Sequence, residues 1–353
     1  MRLQVDKIAS VTRNVPLGRD VRVCDRIIAR EGYLLAGTIR GEKSVYNTLE
    51  DVHGRMVPLH DGDVIVGALG HRNALHGYTG VVPSQIQVGQ RIHVLNLGGV
   101  LGRCTSENPD VGKPFELEVL GSVQVFPEFE ERCGVPAHIG MNAVDESDHE
   151  VADIPVVFVA GTCMNSGKTA AASRLIRQLD SRGLRVGGCK LTGVSLRRDT
   201  LQMIDYGAAF AVSFTDAGIV TTSPETAAPV ARRLINHLAR QGAQVIVAEL
   251  GDGILGEYGV QNILADTAMM NRCSALVLCA NDPVGAWGAK EVLHARFGLD
   301  IDVVSGPATD NAIGTRFVRE SLGLAAINAR TNGPELGAFV ASKINGKLIP
   351  VAA

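Results

Sequence analysis

The stretch Val156-Val157-Phe158-Val159-Ala160-Gly161-Thr162-Cys163-Met164-Asn165-Ser166-Gly167-Lys168-Thr169 decides the reading of this chain. A short apolar run predicts a buried strand. A glycine-bounded loop follows and ends in Gly-Lys-Thr, and Ala170 to Asp180 then reads as helix. Strand, glycine loop and helix in that order form a phosphate-binding loop, because backbone N–H groups at a helix N-terminus point at phosphate oxygens. Gly161, Thr162, Asn165, Ser166 and Gly167 are the expected nucleotide contacts. Lys168 supplies a positive charge for the β- and γ-phosphates, and the Thr169 hydroxyl is a ligand for Mg²⁺. The usual spacing places four residues between the glycines, whereas Gly161 and Gly167 enclose five.

Composition sets the frame. At 353 residues, two domains are expected. The 46% apolar content and 40 glycines suit an α/β protein, and with aromatics at 4% the core falls to Ala, Val, Leu and Ile. A net charge of −3, with no basic run longer than Arg197-Arg198, gives no reason to expect nucleic acid. No apolar window reaches transmembrane length, and Met1 to Asp6 does not read as the start of a signal peptide. The seven cysteines (24, 104, 133, 163, 189, 273, 279) include no Cys-x-x-Cys pair, so reduced thiols and a cytoplasmic location are expected. Cys163 stands apart because it lies inside the phosphate loop.

Residues 1 to 126 read as β-rich. Short strands at Val21–Cys24, Gly32–Ile39, Asp61–Gly70 and Val88–Gly102 are bounded by glycines, and Lys113–Gly121 alternates as a half-exposed strand should. A small barrel or sandwich is expected. Within it, Gly70-His71-Arg72-Asn73-Ala74-Leu75-His76-Gly77-Tyr78 has three readings: a polar rim loop, a substrate loop, or the beginning of a metal site without a third ligand. Residues 127 to 154, with acidic runs at 127–132 and 145–150, read as a linker.

From 155 to 353, strands and helices alternate, which predicts a doubly wound, mostly parallel sheet with ligands at the C-terminal strand ends. Ser223-Pro224-Glu225 opens a helix, with Ser223 as N-cap and Pro224 at its first position. Polar groups gather where the strands end. Glu249 closes a buried apolar strand, a position that calls for a cation or a donor, and it is the expected second Mg²⁺ ligand. Asp199 is a candidate third metal contact. Lys190 ends another apolar strand, where a cation would neutralise a transferring phosphoryl group. Arg197 and Arg198 are candidates for a substrate carboxylate, Thr192 and Asp216 for a substrate pocket, and Asn281 for the nucleobase.

Together, Gly161-Thr162, Gly167-Lys168-Thr169, Lys190-Leu191-Thr192-Gly193, Asp199 and Glu249-x-Gly resemble dethiobiotin synthetase and its wider family, which includes the cobyrinic-acid amidotransferases and the molybdopterin-guanine dinucleotide B-type proteins. The resemblance covers about 155–325. It implies ATP held by the loop and Lys168, substrate at Lys190, and Mg²⁺ at Thr169, Asp199 and Glu249. Cys163-Met164 and Leu191 depart from that pattern, and the β-rich half has no counterpart in the synthetase. The expectation is an ATP- and Mg²⁺-dependent enzyme that activates a small acidic substrate and forms an amide-like bond. A nucleotide-hydrolysing chaperone or adaptor for cofactor or metal delivery, and an acyltransferase on the same scaffold, are the alternatives. The substrate and the choice of ATP over GTP are left open, as is a homo-oligomer.

Overall fold

The computed structural model describes residues 1–127, 134–145 and 150–344. The chain divides into two compact units: residues 1–144, 194–198 and 214–221 form the first, and 145–193, 199–213 and 222–353 the second. The acidic residues read as linker at 128–132 and 146–149 lie outside the described residues. Residues on either side of the first gap do not form a bare connection: Val135–Pro136 pairs with the end of Glu116–Val125.

The first unit closes on itself. Leu34–Arg40 runs antiparallel to Val64–Leu69. Val64–Leu69 is parallel to Val100–Glu107, which is antiparallel to Arg91–Val94. Arg91–Val94 pairs with Glu116–Val125, and that strand returns to Leu34–Arg40. Five strands thus form a ring of pairings, a small barrel with no free edge along the circuit. Leu34, Leu35, Ile39, Ile65, Leu69, Ile92, Leu101 and Leu117 are fully buried in its core. Long β-branched and Leu side chains do the work that aromatics do in other barrels, at roughly 1.5–3 kcal/mol for each side chain buried. Gly37 is required for this packing, since a Cβ there would overlap Leu117 and lie 2.8 Å from the Glu118 carbonyl oxygen.

The second unit is a seven-stranded, wholly parallel sheet. Its order is Phe210–Ser213, Val186–Lys190, Val245–Glu249, Val156–Gly161, Cys273–Cys279, Val303–Ser305, Ala325–Ala326. The central strands are buried on both faces, so they read as continuous apolar runs rather than alternating ones. Helix Lys168–Asp180 presents Ala171, Ala172, Leu175, Ile176 and Leu179 to the core that holds Val157, Val159 and Val247, and Leu336 and Val340 of helix Gly333–Ile344 join it. Helix Pro224–Arg240 begins as expected, with a reciprocal capping box between Ser223 and Thr226. Two short helices, Val260–Leu264 and Thr267–Met270, were not legible in the sequence.

Candidate nucleotide and cation site

Parallel register brings the chemistry together. Val159 of the loop strand lies beside Glu249, and Glu249 lies beside Lys190. Three neighbouring strands therefore end at the same edge, where the Gly161–Thr169 loop begins. This is the C-terminal edge at which parallel α/β sheets bind ligands.

The loop takes its shape from two residues in left-handed backbone conformation, Asn165 (φ 60°) and Gly167 (φ 93°). Gly161 is needed because a Cβ there would strike the Ser166 hydroxyl and the Lys168 side chain. Thr162 N–H donates to the Cys279 carbonyl at 3.0 Å, which fixes the loop to its neighbouring strand. Lys168 is buried, at 5% exposure, and its ammonium donates to the Cys163 carbonyl at 2.7 Å and faces Ser166 Oγ at 3.4 Å. Burial pulls the Lys168 pKa down; the Glu249 carboxylate, and less strongly Asp252, push it back, and Lys190 lowers it further.

Glu249 is 2% exposed. Its Oε1 accepts the Thr169 hydroxyl at 3.0 Å and lies 3.8 Å from the Lys190 ammonium. Its Oε2 is buried and meets no hydrogen-bond donor among the described residues. A buried carboxylate oxygen without a donor costs free energy unless a cation takes the place of the donor. Lys190 also pairs closely with Asp199, in the first turn of helix Arg198–Asp205. The residues expected to bind phosphate and Mg²⁺, namely Lys168, Thr169, Lys190, Asp199 and Glu249, thus form one cluster. The hydroxyl and carboxylate oxygens with this unmatched Oε2 suit a hard divalent cation. Among the described residues no group of three His, Cys, Asp or Glu side chains forms a metal site by itself, so such a cation would complete its shell with phosphate oxygens and water.

The residues expected on substrate are placed differently. Arg197 and Asp216 belong to the first unit, not to the sheet that carries the loop. Asp216 is gripped fork-to-fork by Arg13, with Nε to Oδ1 at 3.0 Å and Nη2 to Oδ2 at 2.9 Å. The Arg197 guanidinium donates to the Val52 carbonyl, and the N–H groups of Arg197 and Arg198 donate to the buried Glu50 carboxylate at 2.6 and 2.7 Å. Arg198 is exposed. The Thr192 hydroxyl is buried and donates to the Gly251 carbonyl at 2.9 Å. Asn281, exposed at the end of the fifth strand in chain order, donates to Cys163 Sγ at 3.0 Å.

The histidine loop is built around Arg72. That side chain is 5% exposed, donates to the Tyr46 hydroxyl at 2.9 Å and to the Leu95 carbonyl, and lies over the rings of Tyr46 and Tyr78 at 5.6 and 5.9 Å. These contacts account for Arg72 and Tyr78 as barrel structure. Cys189 and Cys279, close to the site, are fully buried, and burial drives the Cys279 thiol up to about 12, so neither is poised as a thiolate. Asp252, which sequence reasoning placed only in a strand-end cluster, belongs with this site. It is buried and left-handed (φ 67°), in a loop whose Ile254 N–H donates to the Gly161 carbonyl at 2.9 Å.

The strand, loop and helix geometry within a parallel sheet defines a P-loop nucleotide-binding fold. No family model matches the chain, and no curated protein matches it. Solved structures similar in part include the signal recognition particle receptor FtsY from Elizabethkingia anophelis (14% identity, 53% of this chain and 65% of that one, TM-score 0.37). Another is the signal recognition particle 54 kDa protein from Aeropyrum pernix K1 in complex with GDP (18% identity, 59% and 50%, TM-score 0.37). A third is a DUF1611 family protein from Anabaena variabilis (13% identity, 56% and 62%, TM-score 0.39). The chain spans between half and two thirds of the length of these structures. At these values the likeness bears on neither substrate nor reaction. Among the described residues no helix is long and apolar enough to cross a membrane.

Proposed function

We propose that this protein binds a nucleoside triphosphate, ATP in the first instance, together with Mg²⁺, and cleaves or transfers its γ-phosphoryl group to activate a small carboxylate for an amide-like bond. The observation that carries this reading is the junction of Thr169, Glu249 and Lys190 at one strand edge beside the loop, with Glu249 Oε2 left without a donor. Bound Mg²⁺ would neutralise charge on the phosphates. The loop N–H groups and Lys168 would cradle the β- and γ-oxygens, and Thr169 and Glu249 would hold the cation. Asp199 restrains Lys190, so the ammonium stands at a fixed position where charge builds up during phosphoryl transfer. Substrate contacts by Arg197, Arg198, Thr192 and Asp216, and a nucleobase contact by Asn281, remain part of the proposal. Of the four substrate candidates, Arg198 is the most exposed.

Product analysis tests it. With ATP, Mg²⁺ and a panel of small carboxylic acids and amines, turnover should depend on the acid, and ADP and a new amide should appear in equal amounts. Slow hydrolysis indifferent to every acid would remove the ligase reading. Lys190→Met should keep nucleotide affinity and lose turnover. If no nucleotide shifts the melting temperature of the wild-type chain, the nucleotide reading itself fails.

A further inference from the structure

The ring of pairings in the barrel loosens on one side. Arg91–Val94 meets Val100–Glu107 only at His93 with Gly102 and at Val94 with Leu101. Past Gly102 the longer strand pairs with Tyr78–Val81 instead, through a bulge between Cys104 and Ser106. On its other side His93 keeps Glu116 as its strand neighbour. Where these strands part, a cavity of about 370 Å³ opens, and His93, Cys104, Ser106, Glu107, Lys113 and Glu116 are among its lining. That volume lies within the range of small-molecule clefts. All of these residues belong to the first unit, and none to the phosphate-loop site.

The lining has an uncommon balance of charge. Glu116 is matched, since its carboxylate takes the Arg91 guanidinium at 2.7 Å. Glu107 and Lys113 are exposed, border the same cavity, and form no ion pair with each other or with any other described residue. Backbone contacts fix each in place: Glu107 lies in register with Tyr78, and the Lys113 carbonyl is held by the Lys43 ammonium, which also donates to the Tyr78 hydroxyl at 3.1 Å. One negative and one positive charge thus border one space without neutralising each other. A ligand that carries both signs satisfies both, whereas a simple anion or cation satisfies one and is repelled by the other.

His93 adds a donor. Its Nδ1 accepts the Cys104 N–H at 3.1 Å, a backbone group that the parting of the strands removes from the ladder. In the neutral ring the proton therefore sits on Nε2. Burial pulls the His93 pKa down, against the opposing pull of Glu116, Glu107 and the Gly102 carbonyl. We propose that this cavity binds a free α-amino acid, with its carboxylate taken by the Lys113 ammonium and the His93 Nε2–H and its ammonium by the Glu107 carboxylate. Cys104, whose thiol donates to the Ser106 carbonyl at 3.2 Å, and the Ser106 hydroxyl border the remaining room, which favours an amino acid with a polar side chain.

The test is calorimetric titration of the full chain with the common amino acids. The tightest binder is then compared with its N-acetyl derivative, which lacks the cation, and with its amide, which lacks the anion. The free amino acid should bind about tenfold or more tightly than either derivative, because each leaves one charge of the cavity unanswered. Lys113→Met and Glu107→Gln, both at exposed positions, should melt with wild type. Lys113→Met should weaken the free amino acid about tenfold or more and leave the amide as it was; Glu107→Gln should weaken it likewise and leave the N-acetyl derivative as it was. The assignment is overturned if no amino acid binds at millimolar concentration, if either derivative binds as well as the free amino acid, or if either substitution leaves binding of the free amino acid untouched.

Discussion

Glu249 Oε1 accepts the Thr169 hydroxyl at 3.0 Å, which joins the residue closing one strand to the second residue of the helix that follows the neighbouring strand. The bond sets both oxygens beside the phosphate loop, and among the described residues it leaves Glu249 Oε2 as the unmatched acceptor.

Glu249→Gln should therefore weaken the Mg²⁺ dependence of turnover by roughly 10- to 100-fold while altering nucleotide affinity in EDTA much less. Turnover measured across a Mg²⁺ titration checks this. Equal loss of nucleotide affinity with and without Mg²⁺ would assign Glu249 to the loop's structure instead.

Glu50 supports a prediction about stability. It is fully buried and accepts from the Ser10 hydroxyl and from the N–H groups of Arg197 and Arg198. Glu50→Ala strands those donors, and the expected cost is about 3 kcal/mol or more. Glu50→Gln keeps an acceptor oxygen and should lose less. Urea melts of the two variants give the ordering, and an alanine variant as stable as wild type would refute it.

Glu31 gives the pH dependence its sign. Burial raises its pKa above 4.5, and the backbone N–H of Thr221, 3.0 Å from Oε1, only partly offsets this. The unfolded chain ionises first as pH rises, so this group's contribution to stability falls as pH climbs from 4.5 through its folded pKa. Glu31→Gln, which keeps an acceptor for Thr221, should melt higher than wild type near pH 7 and no higher below pH 4.5. Melting curves across that range decide it, and a gain that persists in acid would be inconsistent with the sign.

What could be read in the sequence follows from how far each interaction reaches along the chain. Lys190 and Glu249 were legible because a charged residue ending an apolar strand is a local anomaly, and the parallel register then sets them side by side. The phosphate loop was legible because its parts are consecutive. The partners of Arg197 and Asp216 were not, because they come from far away: Val52 accepts from Arg197, and Arg13, 203 residues distant, holds Asp216. Closure of the barrel was also hidden, since it depends on Arg91–Val94 pairing with strands on both sides. Asp252 left only a faint signal, an acid between two glycines just past Glu249. Its backbone angle, the informative quantity, has no sequence signature.

The membership of 194–198 and 214–221 in the first unit has a consequence for how this protein can be divided or inherited in parts. A cut near residue 145 does not yield two self-sufficient pieces. The earlier piece would lack the backbone donors of Arg197 and Arg198 that satisfy Glu50, and the later piece would carry Asp216 without Arg13. A single recombination event cannot exchange one unit for a homologue's without replacing these two inserts as well. The chain is therefore expected to diversify as one genetic block, with Arg13 and Asp216, and Glu50 and the 197–198 turn, changing together or not at all.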